Sequence, residues 1–111
     1  MNDWVRELPA EVMVSDTQGT ILEMNTEAKT LFAEDGGGGL LGTNVLACHP
    51  EPSRTKLEGM MERHLSNAYY NTEEGEKRFF YQSPWFKDGQ YAGFVEFSFP
   101  VPDQIPHFIR G

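Results

Sequence analysis

The sequence predicts a single α+β domain, with strands toward both ends of the chain and helices between them. Three observations predict it. Residues 11–25 and 67–99 are rich in β-branched and aromatic residues, in runs bounded by turn-forming residues. From residue 52 the apolar residues instead recur at helical spacing. At 111 residues, 39% hydrophobic and 13% aromatic, the chain has the length and composition of one modest folded core.

"DWVREL" (residues 3–8) predicts a short helix capped by Asp3, with Trp4, Val5 and Leu8 on one side and Pro9 ending it. "EVMVSDTQGTILEMN" (11–25) predicts a hairpin: Val12 and Val14 alternate with polar residues, and "DTQG" makes the turn. Asn25 then caps "TEAKTLFA", where Ala28, Leu31 and Phe32 share a helical face. "EDGGGGLLG" is a connector. Its glycines carry neither the Lys-Ser/Thr of a phosphate loop nor a dinucleotide fingerprint.

The longest helix starts at Pro52, whose missing N–H costs nothing in a first turn, with Thr55 and Glu58 as an alternative capping box. Its apolar stripe is Leu57, Met60, Met61, His64, Leu65 and Ala68. After it, "NAYYN" is a strand, and "KRFFYQSPWFKDGQYAGFVEFSF" is a long hairpin closed by Asp88-Gly89 as a type I′ turn. Counting back from that turn pairs Phe86 with Tyr91, Gln82 with Val95, Tyr81 with Glu96 and Phe80 with Phe97. Pro84 lacks a ladder N–H, so a bulge there would shift the register of residues 78–83. Both faces of this hairpin are aromatic, so both need cover: helices on one side, and "DWVREL" with a second copy of the chain on the other.

The net charge is −8, without a Lys/Arg cluster, which argues against nucleic acid as a direct partner. No basic head with an apolar run opens the sequence and no apolar run is of spanning length, so a cytoplasmic protein without a membrane partner is expected. Cys48 and His49 are neighbours, and neighbouring side chains on extended backbone point apart; the pair is read as a corner, with Cys48 filling space, and no catalytic residue is assigned. One cysteine and three scattered histidines offer no metal-ligand spacing.

The order of elements resembles a PAS domain. So do Asp16, Gly19, Ile21, Asn25 and Ala28 in "SDTQGTILEMNTEAKTLF", the stretch "LLGTNVLACHP", and the closing hairpin "DGQYAGFVEFSF". The resemblance spans about residues 9–100, which divides the chain into a flanking helix (1–8), the PAS-like domain (9–102) and a tail (103–111). It implies a five-stranded antiparallel sheet with helices packed on one face, a space between them for a small ligand, and a role as a signalling or dimerisation module rather than an enzyme. The partners implied are a second copy of the chain and a signalling protein or output domain.

Within that frame His49, Met60, Met61, His64, Tyr81 and Glu96 are the candidate cavity residues. Trp4, Val5, Leu8, Trp85 and Phe94 are the candidate dimer surface. The cofactor is left unknown. Haem is disfavoured because the histidine that some PAS domains carry early in the long helix aligns with Leu57, leaving His64, Cys48 or His49 as substitutes. Flavin photochemistry is disfavoured further, because Gly42-Thr43-Asn44 is followed by Val45 and not by the reactive cysteine. A ligand-free interaction module is the second reading, and a small isomerase-like enzyme using His64 with Glu96 a remote third.

Overall fold

The computed structural model describes residues 1–111, with the Cys48 side chain outside the described residues, so the space-filling role expected of that cysteine lies outside them too. The elements are α1 (Asp3–Arg6), β1 (Glu11–Asp16), β2 (Ile21–Met24), α2 (Thr26–Leu31), α3 (Ser53–Arg63), β3 (Asn67–Glu73), β4 (Glu76–Lys87) and β5 (Gln90–Pro100), with three short 3-10 turns between α2 and α3. The strands form one antiparallel sheet in the order β2-β1-β5-β4-β3, so the last strand in sequence sits at the centre. This is the α+β architecture expected. Among the described residues no helix is long and apolar enough to cross a membrane.

Local chemistry explains the elements. In the β1–β2 turn, Asp16 Oδ1 accepts hydrogen bonds from the backbone N–H of Gln18 and of Thr20, both at 2.9 Å. Asn25 does more than cap α2. Its Oδ1 accepts from Ala28 N and Val12 N, each at 3.0 Å, while its Nδ2 donates to Val5 O at 3.0 Å and Ala10 O at 2.7 Å. One buried amide thus ties α1, β1 and α2 together. The glycine-rich segment is two 3-10 turns, Ala33–Asp35 and Gly37–Leu40, the second of which delivers Leu40 to a core of Met13, Ile21, Met24 and Ala28.

Three local expectations need correction. Asp3 is not the cap of α1 but its first residue, paired with Arg6 at 2.9 Å. With one turn only, α1 cannot present a stripe: Val5 is buried, Leu8 is half-buried and Trp4 is 70% exposed. The start of α3 is held by Glu51 rather than by a Thr55–Glu58 box. The Glu51 carboxylate accepts from Thr55 N at 2.9 Å and Thr55 Oγ1 at 2.8 Å, and these bonds hold its pKa below the usual value.

The third correction concerns the end of α3. His64 takes a left-handed conformation (φ 55°), and the N–H groups of His64 and Leu65 both turn back to Met60 O. The apolar stripe therefore stops after Leu57, Met60 and Met61, which pack on Phe94. His64 and Leu65 are exposed, and Ala68 already belongs to β3.

The Asp88-Gly89 turn forms as expected, with both residues at positive φ, and pairs Phe86 with Tyr91. Between Trp85 and Phe86 the register slips: Trp85 pairs with Gly93, leaving Ala92 as the extra residue of a bulge. The expected pairs become Gln82 with Glu96, Tyr81 with Phe97 and Phe80 with Ser98. A one-residue slip changes which side chains share a face. Tyr81 goes to the outer face, away from the helices, and is 39% exposed. Phe94 goes inward, at 5% exposure.

Candidate functional site

The two sheet faces have inverted polarity. Toward the helices the three central strands present Glu11, Met13 and Ser15 from β1, Phe94, Glu96 and Ser98 from β5, and Phe80 and Gln82 from β4. Away from the helices Val14, Leu22, Trp85, Val95 and Phe97 line an apolar groove, with Phe99 and Tyr81 exposed nearby. Polar groups buried under helices need partners, and here they form a chain. Arg78 Nε donates to Ser98 Oγ at 2.8 Å, Ser98 Oγ donates to Glu11 Oε1 at 2.6 Å, and Gln82 Nε2 donates to Glu96 Oε1 at 3.0 Å.

Glu11 is fully buried and its Oε2 has no donor. Burial, and next the charge of Glu96, push its pKa up to about 9. Burial raises Glu96 as well. The two carboxyls titrate as a unit that holds a proton at neutral pH, because two negative charges in a low-dielectric site repel. Tyr69, across the sheet on β3, is pushed up to about 12 by burial and then by the same two carboxyls.

The pair makes stability depend on pH with a definite sign. The folded protein holds the Glu11 proton more tightly than the unfolded chain, whose value is 4.5. Its contribution is therefore complete below about pH 4.5 and lost as pH rises toward 9, by at most about 1.4 kcal/mol per pH unit. Glu11→Gln, which keeps the shape and cannot ionise, is expected to melt higher than wild type at pH 8 and to flatten this fall. Melts of both proteins from pH 5 to 9 check it, and parallel curves count against a shared proton.

Above the polar floor, Met13, Val45, Leu57 and Phe94 enclose a cavity of about 20 Å³ together with Ser15, His49, Gln82 and Glu96. That is room for about one water molecule. It adjoins a cleft of about 350 Å³ between α3 and β3, and His49, Leu57 and Gln82 line both. The cleft is within the size range of small-molecule sites. Its other walls include Ser53, Lys56, Met60, Asn67 and Tyr69.

The structure scatters the expected cavity residues. His49 and Glu96 line the inner cavity, Met60 lines the cleft, and Met61 packs in the core beside Phe94. His64 is at the end of α3, stacked on Tyr91 with ring centroids 3.8 Å apart, and does not meet Glu96. Tyr81 faces outward. Of the expected dimer residues, Trp4 is exposed, Leu8 is half-buried and Trp85 lies on the outer face, its Nε1 donating to Ser15 O at 2.9 Å. Val5 and Phe94 are buried within the chain itself, so neither is surface. Glu11, Gln82, Ser98 and Arg78 were not singled out from sequence. The available signal was polar residues alternating with Met13 in β1, which reads equally well as a solvated face.

No family profile and no curated protein matches the chain. Solved structures do. A C-terminal domain from Streptococcus mutans superposes with a TM-score of 0.70 at 18% identity, over 86% of this chain and 78% of that one. The PAS domain of BvgS from Bordetella pertussis gives 0.65 at 16% identity, over 90% and 82%. The Aer2 receptor from Vibrio cholerae, a dual PAS-haem oxygen sensor, gives 0.63 at 12% identity, over 84% and 95%.

Proposed function

From the PAS fold of this chain, we propose that it is a sensory and dimerisation module. A small ligand enters between α3 and β3, and a second copy of the chain covers the outer face of the sheet. The inverted polarity of the sheet carries this reading. Buried carboxyl, amide and hydroxyl groups are costly under helices unless something uses them, and a broad aromatic face is costly in water unless something covers it. The central strands connect the two faces, since alternate residues of β5 serve the cavity and the groove. The output is a partner protein or an attached domain. The remote catalytic pair, His64 with Glu96, is not favoured, because His64 stacks on Tyr91 at the end of α3 and does not line the cavity that holds Glu96.

Phe97→Glu is expected to convert a dimer to a monomer with little change in melting temperature, since Phe97 is already partly exposed at 36%. Light scattering of both proteins at matched concentration checks it. A wild type that stays monomeric at high concentration sinks the dimer arm. Native mass spectrometry of freshly purified protein tests the ligand arm.

A ligand-free interaction module is the second reading, favoured by the tightness of the inner cavity, about 20 Å³. Protein that carries no molecule, and whose melting no library compound shifts, would select it.

A further inference from the structure

We propose that the ligand is a small organic cation headed by N–H donors, of the protonated amine or amidine class, docking against Glu96 and Gln82 at the inner end of the cleft. The inference rests on the ligand-binding reading above and narrows it. A donor inventory of the inner cavity carries it. Gln82 Nε2 gives one of its two hydrogens to Glu96, and the Gln82 carbonyl oxygen is an acceptor. Ser15 Oγ gives its hydrogen to Phe94 O at 3.2 Å. His49 Nδ1 lies 2.9 Å from Val45 O, an acceptor only, so Nδ1 donates there and in that tautomer Nε2 accepts. Glu96 adds carboxylate oxygens. Every polar side chain of this cavity thus offers acceptors, and these outnumber the one Gln82 N–H that is left to donate.

A second observation points the same way. Glu11, which shares a proton with Glu96, is fully buried and does not line this cavity, so it adds no donor there. The charged and titratable groups facing the pair are Arg78 from β4, Tyr69 from β3 and His49 ahead of α3, and Arg78 is engaged by Ser98. Among the described residues no lysine or arginine lines the inner cavity. An anion placed there meets the Glu96 carboxyl and apolar walls. A cationic head the size of one water meets four acceptors, and the Tyr69 ring in the cleft wall suits the organic body of such a ligand.

The test uses benzylamine, benzamidine and benzoate, which share a ring and differ in charge. On wild-type protein, calorimetry and thermal shift are expected to register both cations and not benzoate. Glu96→Gln is expected to weaken benzamidine about tenfold or more. Should that variant fail to fold, wild type alone carries the test. Benzylamine affinity should fall as pH is lowered and the Glu96 carboxylate takes up a proton, while benzyl alcohol shows no such fall. Benzoate binding as tightly as benzylamine overturns the charge assignment and leaves the ligand cleft standing. Unchanged benzamidine affinity in Glu96→Gln, or a flat pH profile, overturns it too. Failure of all three probes also overturns it, and the cleft then stands or falls on what co-purifies with the protein.

Discussion

Gly93→Ala is expected to cost about 4 kcal/mol or more, most of the stability of a marginal domain. Gly93 has φ +149°, and a Cβ there would lie 2.0 Å from Ser15 O, 2.7 Å from Trp85 Nε1 and 2.9 Å from Asp16 C. Two of these are backbone atoms of the neighbouring strand, and the third is fixed by its own bond to Ser15 O. Relief requires β1 and β5 to part in the middle of the sheet. Gly89→Ala is the control: Gly89 is also at positive φ, +80°, but nothing lies within 4 Å of its missing Cβ. That change should cost only about 1 kcal/mol, the backbone penalty alone. Chemical denaturation of the pair checks both, and equal losses would mean that conformation rather than crowding governs Gly93.

Asn25→Ala is the second large loss expected, about 3–5 kcal/mol. The substitution strands Val12 N, Ala28 N, Val5 O and Ala10 O, all partners of one side chain that is 1% exposed. Asn25→Asp separates the two halves of its role. The carboxylate still accepts from Val12 and Ala28 but faces the Val5 and Ala10 carbonyls without a hydrogen to give. It should leave α2 capped and free α1, seen as faster amide exchange confined to residues 3–10. A loss below about 1 kcal/mol in Asn25→Ala would show that water replaces the amide.

What the sequence made legible follows the range of each signal. The Asp88-Gly89 turn was readable because two adjacent residues must both reach positive φ, and their identity announces it. The Asn25 cap of α2 was readable for the same local reason. The bulge opposite Trp85 was not placed correctly, because it is set by how closely Gly93 approaches Ser15, a residue far away in the chain. That displacement moved Tyr81 out of the cavity and Phe94 into the core. The end of α3 was missed because periodicity carries no stop signal, and His64 supplies the left-handed turn without being glycine. The carboxyl pair was half legible: Glu96 stood out on an aromatic strand, whereas Glu11 sits in a β1 where both alternating sets contain apolar residues. Only the position of the helices decides which set is inside.

The central place of β5 has a consequence for how the molecule is made. Its partners on either side are β1 and β4, and the bond from Ser98 to Glu11 spans 87 residues of chain. During synthesis the β1–β2 hairpin emerges first and the β3–β4 hairpin later, each with an unzipped edge. Neither can be joined until residues 90–100 have left the ribosome. Closure is then a late, long-range event, slow in proportion to the loop it must shut, and a nascent chain stalled before Gln90 is two sticky ribbons awaiting a chaperone.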